Sequence, residues 1–432
     1  MAYHLFTCLF SIEENKIDKV KNFCKAYKNF AFNLWVNLLP CQYQISNHLK
    51  MKKTIVFFLL LCLAFNNEAQ VKYESIQSSK LGEERQLKIQ LPRGYNSNED
   101  KTYPLFVVLD GDYMFEAVAG NVDYFSYWED MPEAIVVGVN QLDKRYDDCM
   151  YSGQNSLPIE TGAAFFEFIG LELLPYIEKS FRVGNFRVAV GHGETANFIN
   201  YYLLKPNPLF QGYISVSPEL APNMLDYLPE VLSKIESKTF YYLANTNNDS
   251  PSTKQMIEAL NKDVSAIDND NLFYDFDAFE GPSHYSVPTH AIPSAIEGMF
   301  KMFQPISRKE YKEVILELEI SPVVYLEEKY QTIYDLFGIE KQILINDFKA
   351  ISAAIEKKEL YEYYEDLGKI ARKEYPETLL GGYYIGRFYE ETGEPKKAMR
   401  TYQSAYTLKE IADITKDDVL QRADSIKEDF GY

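Results

Sequence analysis

Residues 186–196 read Phe186-Arg-Val-Ala-Val-Gly-His-Gly-Glu-Thr-Ala196. Apolar residues alternate as far as Val190, as they do in a β-strand, and a helical segment begins at about Glu194. Only three residues separate these two elements, and two of them are glycines, which tolerate the strained backbone of a tight turn. The segment therefore predicts a strand that runs directly into a helix.

Short apolar runs recur on both sides of this segment. Two of them, residues 105–109 and 134–139, are continuously apolar, which is typical of strands buried on both faces. The other predicted strands are residues 87–91, 212–216 and 239–244, and residues 162–180 predict a helix. Alternating strands and helices over residues 71–304 predict an α/β domain, with a mostly parallel central sheet flanked by helices.

The composition changes after Pro305. Lys, Glu, Tyr and Leu dominate, and helical spacing continues to the end, so residues 305–432 predict an all-α domain. Six residues match the offsets of a tetratricopeptide helix pair: Ile385, Gly386, Tyr389, Ala398, Tyr402 and Ala405. Residues 345–378 resemble a degenerate neighbouring repeat. Such a region is either a helical cover for the α/β domain or a surface that binds a protein partner.

Residues 51–70 have the pattern of a secretory signal peptide. Lys52 and Lys53 precede an apolar stretch that is shorter than the roughly 20 residues of a membrane-spanning helix. A signal peptide is read at the N-terminus, so Met51 is the expected start and residues 1–50 a misassigned extension. The mature chain is then expected to have no transmembrane segment and to be exported to a bacterial periplasm or exterior.

Charge and cysteine content exclude several kinds of protein. The formal net charge of −19 argues against nucleic-acid binding, which requires a basic face. Cys149 is the only cysteine beyond residue 70, so a chain that lacks the signal peptide cannot form an internal disulfide. His284 and His290 do not have the spacing of a zinc pair, and we expect neither a metal nor another cofactor.

Several ordered motifs resemble the esterase family that includes esterase D and the enterochelin esterases, which have the α/β-hydrolase fold. The motifs are Tyr103-Pro-Leu-Phe-Val-Val-Leu-Asp-Gly-Asp112, residues 135–139 with Arg145, Glu172-Leu-Leu-Pro-Tyr-Ile-Glu-Lys-Ser-Phe181, Phe210-Gln-Gly-Tyr-Ile-Ser-Val-Ser-Pro218 and Glu280-Gly-Pro-Ser-His-Tyr-Ser-Val-Pro288. The resemblance covers residues 71–304. It implies hydrolysis of carboxylic or siderophore esters and a small-molecule ligand of that kind.

The resemblance also implies a role for individual residues. His284 matches the catalytic base, and Asp249 is the candidate acid because it is the only carboxylate in the loop that follows residues 239–244. The expected oxyanion donors are backbone N–H groups of Glu194 and of the loop formed by Gly111, Asp112 and Tyr113. His192 matches a structural or pocket position.

The turn at residues 191–195 departs from the G-x-S-x-G nucleophile elbow of serine hydrolases. Gly193 stands where the nucleophilic serine is expected, Glu194 brings a carboxylate close to the oxyanion position, and Thr195 replaces the last glycine. These departures favour a secreted, catalytically impaired pseudoenzyme that retains a ligand pocket. Two alternatives remain open: an ester hydrolase with a non-standard nucleophile, and an interaction protein that acts through its helical C-terminal domain.

Overall fold

The computed structural model describes residues 71–431. The predicted extension (residues 1–50) and signal peptide (residues 51–70) lie outside the described residues. The described residues all belong to one compact unit. Between residues 71 and 431, no helix combines the length and the apolar character needed to cross a membrane.

The centre of the unit is an eight-stranded sheet in the described residues. Its strands are β1 (Val71–Gln77), β2 (Glu84–Gln90), β3 (Tyr103–Val108), β4 (Ile135–Val139), β5 (Val183–His192), β6 (Gly212–Val216), β7 (Thr239–Thr246) and β8 (Leu272–Phe279). Their spatial order is β1-β2-β4-β3-β5-β6-β7-β8. The first two pairings, β1 with β2 and β2 with β4, are antiparallel and all the others are parallel. The α/β prediction is therefore confirmed.

Helices cover both faces of this sheet. They are α1 (Phe115–Tyr127), α2 (Arg145–Asp148), α3 (Glu160–Phe168), α4 (Leu174–Ser180), α5 (Glu194–Ile199), α6 (Met224–Leu232), α7 (Pro251–Val264) and α8 (Pro288–Met299). The single helix predicted over residues 162–180 is α3 and α4 joined by a π-helical segment, Ile169–Leu173. Strand residues alternate between two cores: Leu105 and Val107 face one layer of helices, whereas Phe106 and Val108 face the other.

The C-terminal region is helical, as predicted. It contains α9 (Arg308–Glu313), α10 (Pro322–Phe337), α11 (Ile345–Lys358), α12 (Tyr364–Glu374), α13 (Leu379–Glu391), α14 (Pro395–Ala405) and α15 (Lys416–Phe430). Helices α13 and α14 approach closely, since a Cβ added to Gly386 would lie 2.2 Å from the Tyr402 ring. Their assignment as a tetratricopeptide pair stays a prediction.

An aromatic cluster attaches the helical region to the sheet. Phe337, at the end of α10, lies with its ring centroid 5.0 Å from that of Phe186 on β5 and 6.0 Å from that of Phe240 on β7. It also packs 5.1 Å from Phe300, which follows α8. Because all four side chains are buried, the helical region shares a hydrophobic core with the α/β region.

Candidate functional site

β5 ends at His192 and α5 begins at Glu194, so the turn predicted at residues 191–193 is reduced to Gly193 alone. Gly193 has φ 60° and ψ −119°, a conformation that side chains with a Cβ adopt only under strain. Gly191 is needed for a different reason, because a Cβ there would lie 2.5 Å from the Thr195 carbonyl oxygen. The backbone therefore forms a sharp strand-to-helix turn at the carboxyl edge of the parallel strands, where α/β proteins place their ligand sites.

His284 and Asp249 form a hydrogen-bonded pair beside this turn. Asp249 follows β7, His284 follows β8, and these neighbouring strands bring His284 Nδ1 to 2.7 Å from Asp249 Oδ1. The Asp249 carboxylate is fully buried and also accepts hydrogen bonds from the Thr246 backbone N–H and the Ser217 hydroxyl. Burial acts to raise the pKa of Asp249, but these three donors outweigh it and hold the pKa below its ordinary value.

The other ring nitrogen of His284 faces the turn. A Cβ built on Gly193 would lie 3.6 Å from His284 Nε2. If His284 donates its Nδ1–H to Asp249, Nε2 carries the lone pair and can accept a proton from a group at this point. The arrangement contains a base and a carboxylate that orients it, but the residue they face has no side chain.

Arg145 also lies close to Gly193. It begins α2, after β4, and its guanidinium donates from Nε to Asp110, from Nη1 to Glu194 and from Nη2 to the His192 carbonyl oxygen, each over 2.7 Å. Its Nη2 would lie 3.2 Å from a Cβ on Gly193. A positive charge is therefore held next to the position expected for a nucleophile.

Asp110 is the buried partner of Arg145. Its fully buried carboxylate also accepts hydrogen bonds from the hydroxyls of Thr195 and Tyr113. Burial raises the pKa of Asp110 in spite of the neighbouring guanidinium. Thr195 thus has a structural role, since its hydroxyl links the elbow to the end of β3.

Glu194 is paired rather than free. Its Oε2 accepts from Arg145 Nη1, and about a third of its side chain is exposed. Burial and, to a smaller extent, the charge of Glu219 raise the pKa of Glu194, and together they outweigh the lowering effect of the Arg145 guanidinium. Arg145 therefore offsets part of the charge of the Glu194 carboxylate, and the effect of this carboxylate on an oxyanion stays a prediction.

His192 is buried, and its assignment to a structural or pocket position stays a prediction. Its Nδ1 lies 3.0 Å from the Tyr113 hydroxyl, and its Nε2 lies 2.9 Å from the His284 carbonyl oxygen. Burial and the adjacent His284 ring lower the pKa of His192 to about 4. The ring therefore supports the His284 loop as a neutral group.

The predicted oxyanion loop needs a correction. The Gly111 N–H donates to the Val139 carbonyl oxygen and the Tyr113 N–H to that of Asp110, so neither is directed at a ligand. Gly111 is required for close packing, because its Cβ would lie 2.7 Å from the backbone of residues 138–139. Within the predicted set, Asp112 and Glu194 remain as candidates for backbone donors.

A cavity of about 510 Å³ opens beside the elbow. Its lining includes Glu194, Glu219, Tyr151 and Met256. Two aromatic side chains are largely exposed: Tyr146, in α2, is 70% exposed, and Tyr285, on the loop after β8, is 85% exposed. The described residues contain no group of three or more side chains suited to hold a metal ion.

Two members of the site were missed at the sequence level. Arg145 and Asp110 were identified only as parts of family motifs, without a role of their own. Both follow parallel strands, β4 and β3. Their positions in the sequence could have indicated the site, because residues that follow parallel strands converge at one edge of the sheet.

The fold and the strand–turn–helix arrangement at Gly193 define an α/β-hydrolase-like protein. A family model described as Putative esterase matches residues 78–271. A crystal structure of an uncharacterised protein from Capnocytophaga ochracea is 30% identical, covers 83% of this chain and 100% of its own, and superposes with a TM-score of 0.77. The chain belongs to this esterase family.

A second solved structure shows the fold alone. It is an IroE-like serine hydrolase from Shewanella oneidensis, which is 22% identical and has a TM-score of 0.52. The match covers 69% of this chain and 98% of that protein. No curated protein matches this chain.

Proposed function

We propose that this protein is an exported, ligand-binding member of the esterase family that has lost serine-dependent hydrolysis. The observation that carries the proposal is Gly193, whose Cβ position lies 3.6 Å from His284 Nε2. A serine at this position would direct its hydroxyl towards the base, as acyl-enzyme chemistry requires. Glycine leaves His284 and Asp249 without a nucleophile of the chain to activate.

The charges around the turn support the same proposal. An oxyanion formed at this site would lie close to Glu194 and Glu219 as well as to Arg145. Carboxylates oppose the development of negative charge, whereas a hydrolase requires donors there. Arg145 is already bound to Asp110, Glu194 and the His192 carbonyl, so it offsets this repulsion only in part.

The ligand we propose is a small carboxylic ester or a siderophore-like molecule. The cavity of about 510 Å³ has the size of a small-molecule site. Its mixed lining of carboxylate, tyrosine and methionine side chains offers both hydrogen-bond acceptors and apolar surface. Export rests on the signal-peptide pattern of residues 51–70.

Covalent trapping tests whether the serine route is lost. The purified protein is incubated with a fluorophosphonate, which labels activated serines, and is assayed with p-nitrophenyl acetate for a burst of product. We expect neither label nor burst from the wild type and expect both from Gly193→Ser. A Gly193→Ser/His284→Ala variant is the matched control and should lose the label. A labelled wild type, with the adduct located by mass spectrometry, would refute the proposal.

Binding is tested by filling the cavity. Ser252 is an exposed residue on its lining, so Ser252→Trp reduces the space without disturbing the core. Thermal unfolding is measured across a panel of short acyl esters and one tris-catecholate ester. We expect at least one compound to stabilise the wild type and to lose its effect on the tryptophan variant. Equal stabilisation of both proteins would place binding elsewhere.

A further inference from the structure

We infer that the His284–Asp249 pair activates a water molecule, so that the protein hydrolyses activated carboxylic esters slowly and without a covalent intermediate. The inference goes beyond the proposed function and rests on its claim that the serine route is lost. It gives a chemical role to His284, which keeps the hydrogen bond to Asp249 that orients a catalytic base.

The first argument is the state of the base. The Asp249 carboxylate accepts from Thr246 N–H at 2.9 Å, from Ser217 Oγ at 2.8 Å and from His284 Nδ1 at 2.7 Å. This set of donors favours the ionised carboxylate and therefore the His284 tautomer with its lone pair on Nε2. In that tautomer Nε2 accepts a proton, and the imidazolium so formed is stabilised by Asp249.

The second argument is the space in front of Gly193. The three heavy atoms nearest to a Cβ built there are Arg145 Nη2 at 3.2 Å, His284 Nε2 at 3.6 Å and Glu219 Oε1 at 3.8 Å. All three are polar side-chain atoms. A water molecule on this side of Gly193 can accept from Arg145 and donate to His284 and Glu219, which meets the two to four polar partners that an ordered water requires.

The third argument is that the nearby hydroxyls and the thiol already have other roles. Ser217 donates its hydroxyl to Asp249, and Thr195 donates its hydroxyl to Asp110. Cys149 is buried, and burial raises the pKa of its thiol. Among these side chains, none is directed at His284 Nε2.

The reaction needs only the ester and water. The water oxygen forms a bond to the ester carbonyl carbon while one of its protons passes to His284 Nε2. The tetrahedral intermediate then breaks its bond to the leaving oxygen. A basic alkoxide takes the proton from Nε2 as it leaves, whereas p-nitrophenolate leaves as the anion and His284 gives its proton to solvent water. The products are a carboxylic acid and an alcohol, and His284 returns to its neutral form.

The expected rate is low. Serine proteases that lack members of their triad keep roughly 10³–10⁴-fold acceleration over water, from the oxyanion hole and substrate binding. Here Glu194 and Glu219 weaken the oxyanion site, whereas the His284–Asp249 pair adds general-base catalysis. We therefore expect turnover that is detectable with p-nitrophenyl acetate, whose leaving group is good, and far slower than that of a serine esterase.

Four variants test the inference with p-nitrophenyl acetate as the probe. We expect His284→Ala to lower the turnover at least tenfold and Asp249→Asn, which keeps the shape of the carboxylate, to do likewise. Gly193→Ala places a methyl group between the base and the water and should also lower turnover at least tenfold. His290→Ala removes an exposed histidine outside the site and is expected to leave turnover unchanged. Circular dichroism verifies that each variant is folded.

The outcomes separate this inference from the proposed function. Turnover in the wild type that equals that of His284→Ala would overturn the water mechanism and leave the proposed loss of serine chemistry intact. Full activity of a folded Gly193→Ala would also overturn it, because the methyl group would then occupy the space assigned to the water. If Gly193→Ala fails to fold, the turnover of Asp249→Asn decides, and a value equal to that of the wild type overturns the water mechanism. A product burst that persists in the absence of a serine adduct would overturn the inference, whereas a fluorophosphonate adduct located on a serine would refute the proposed function.

Discussion

Replacement of Arg145 by methionine tests the polar network that surrounds the elbow. Methionine keeps much of the length and the apolar stem of arginine but cannot donate the three 2.7 Å hydrogen bonds to Asp110, Glu194 and the His192 carbonyl oxygen. The main effect falls on Asp110, because its side chain is fully buried, whereas that of Glu194 is 31% exposed.

The magnitude follows from the charge left behind. Removal of one partner of a buried ion pair costs about 3–5 kcal/mol. Arg145 is 28% exposed and Asp110 keeps the hydrogen bonds from Thr195 and Tyr113, so the cost should lie at the lower end of this range. We expect the free energy of unfolding at pH 7 to fall by about 3 kcal/mol.

The stability that Arg145→Met loses should be smaller at low pH. The pKa of Asp110 is already raised in the folded protein, and removal of the guanidinium raises it further. As the pH falls through that pKa, Asp110 takes up a proton in the folded variant and no longer carries an unpaired charge. The stability difference between wild type and variant therefore narrows towards low pH.

The assay is urea unfolding of the purified protein, followed by circular dichroism at pH 7 and pH 5. The control is Asp110→Asn/Arg145→Met, which has no buried charge and should recover a large part of the loss at pH 7. The reasoning is refuted if Arg145→Met costs less than about 1 kcal/mol, or if the asparagine makes no difference.

Three further predictions concern stability. The pKa of His192 is about 4 in the folded protein and 6.5 in the unfolded chain, so between these pH values the unfolded state binds one proton more than the folded state. Acidification from pH 6.5 to 4 should therefore lower the free energy of unfolding by about 3 kcal/mol. Urea unfolding at the two pH values should show a smaller decrease for His192→Gln than for the wild type. Gly386→Ala brings a methyl group to 2.2 Å from the Tyr402 ring and should lower the midpoint of thermal unfolding by an amount equivalent to about 1–3 kcal/mol, whereas Gly120→Ala meets no atom within 4 Å and should not lower it. Phe337→Ala removes the ring that the helical region shares with the α/β region and should lower the free energy of unfolding by about 3–5 kcal/mol. An unchanged thermal unfolding transition in calorimetry would contradict a shared core.

Hydrophobic pattern was enough to predict the strands of the sheet interior. Strands β3 to β7 coincide with apolar runs because both of their faces are buried, so burial alone determines their composition. Strands β1 and β8 were missed. They lie at the two edges of the sheet and are largely exposed or half-buried, so their sequences lack a continuous apolar signal.

The site was predicted unevenly. Resemblance to a family indicated His284 and Asp249, and the structure brings the two side chains within hydrogen-bond distance. It also indicated Gly111 and Tyr113 as oxyanion donors, but these N–H groups are bound to backbone carbonyls. The difference is physical, because the partner of an N–H depends on the local path of the backbone, which a motif does not specify.

The amino-acid sequence was sufficient for the fold class, for the family and for the absence of a side chain at residue 193. These properties depend on periodicity and on residue identity, which can be read without coordinates. Tertiary structure alone decided what surrounds that residue. Arg145 and Glu194 begin two separate helices and Asp110 follows β3, and their mutual pairing depends on the register of parallel strands and on side-chain conformation. Packing of the folded chain, rather than any local pattern, therefore places a base and a guanidinium within 4 Å of the position that a side chain at residue 193 would occupy.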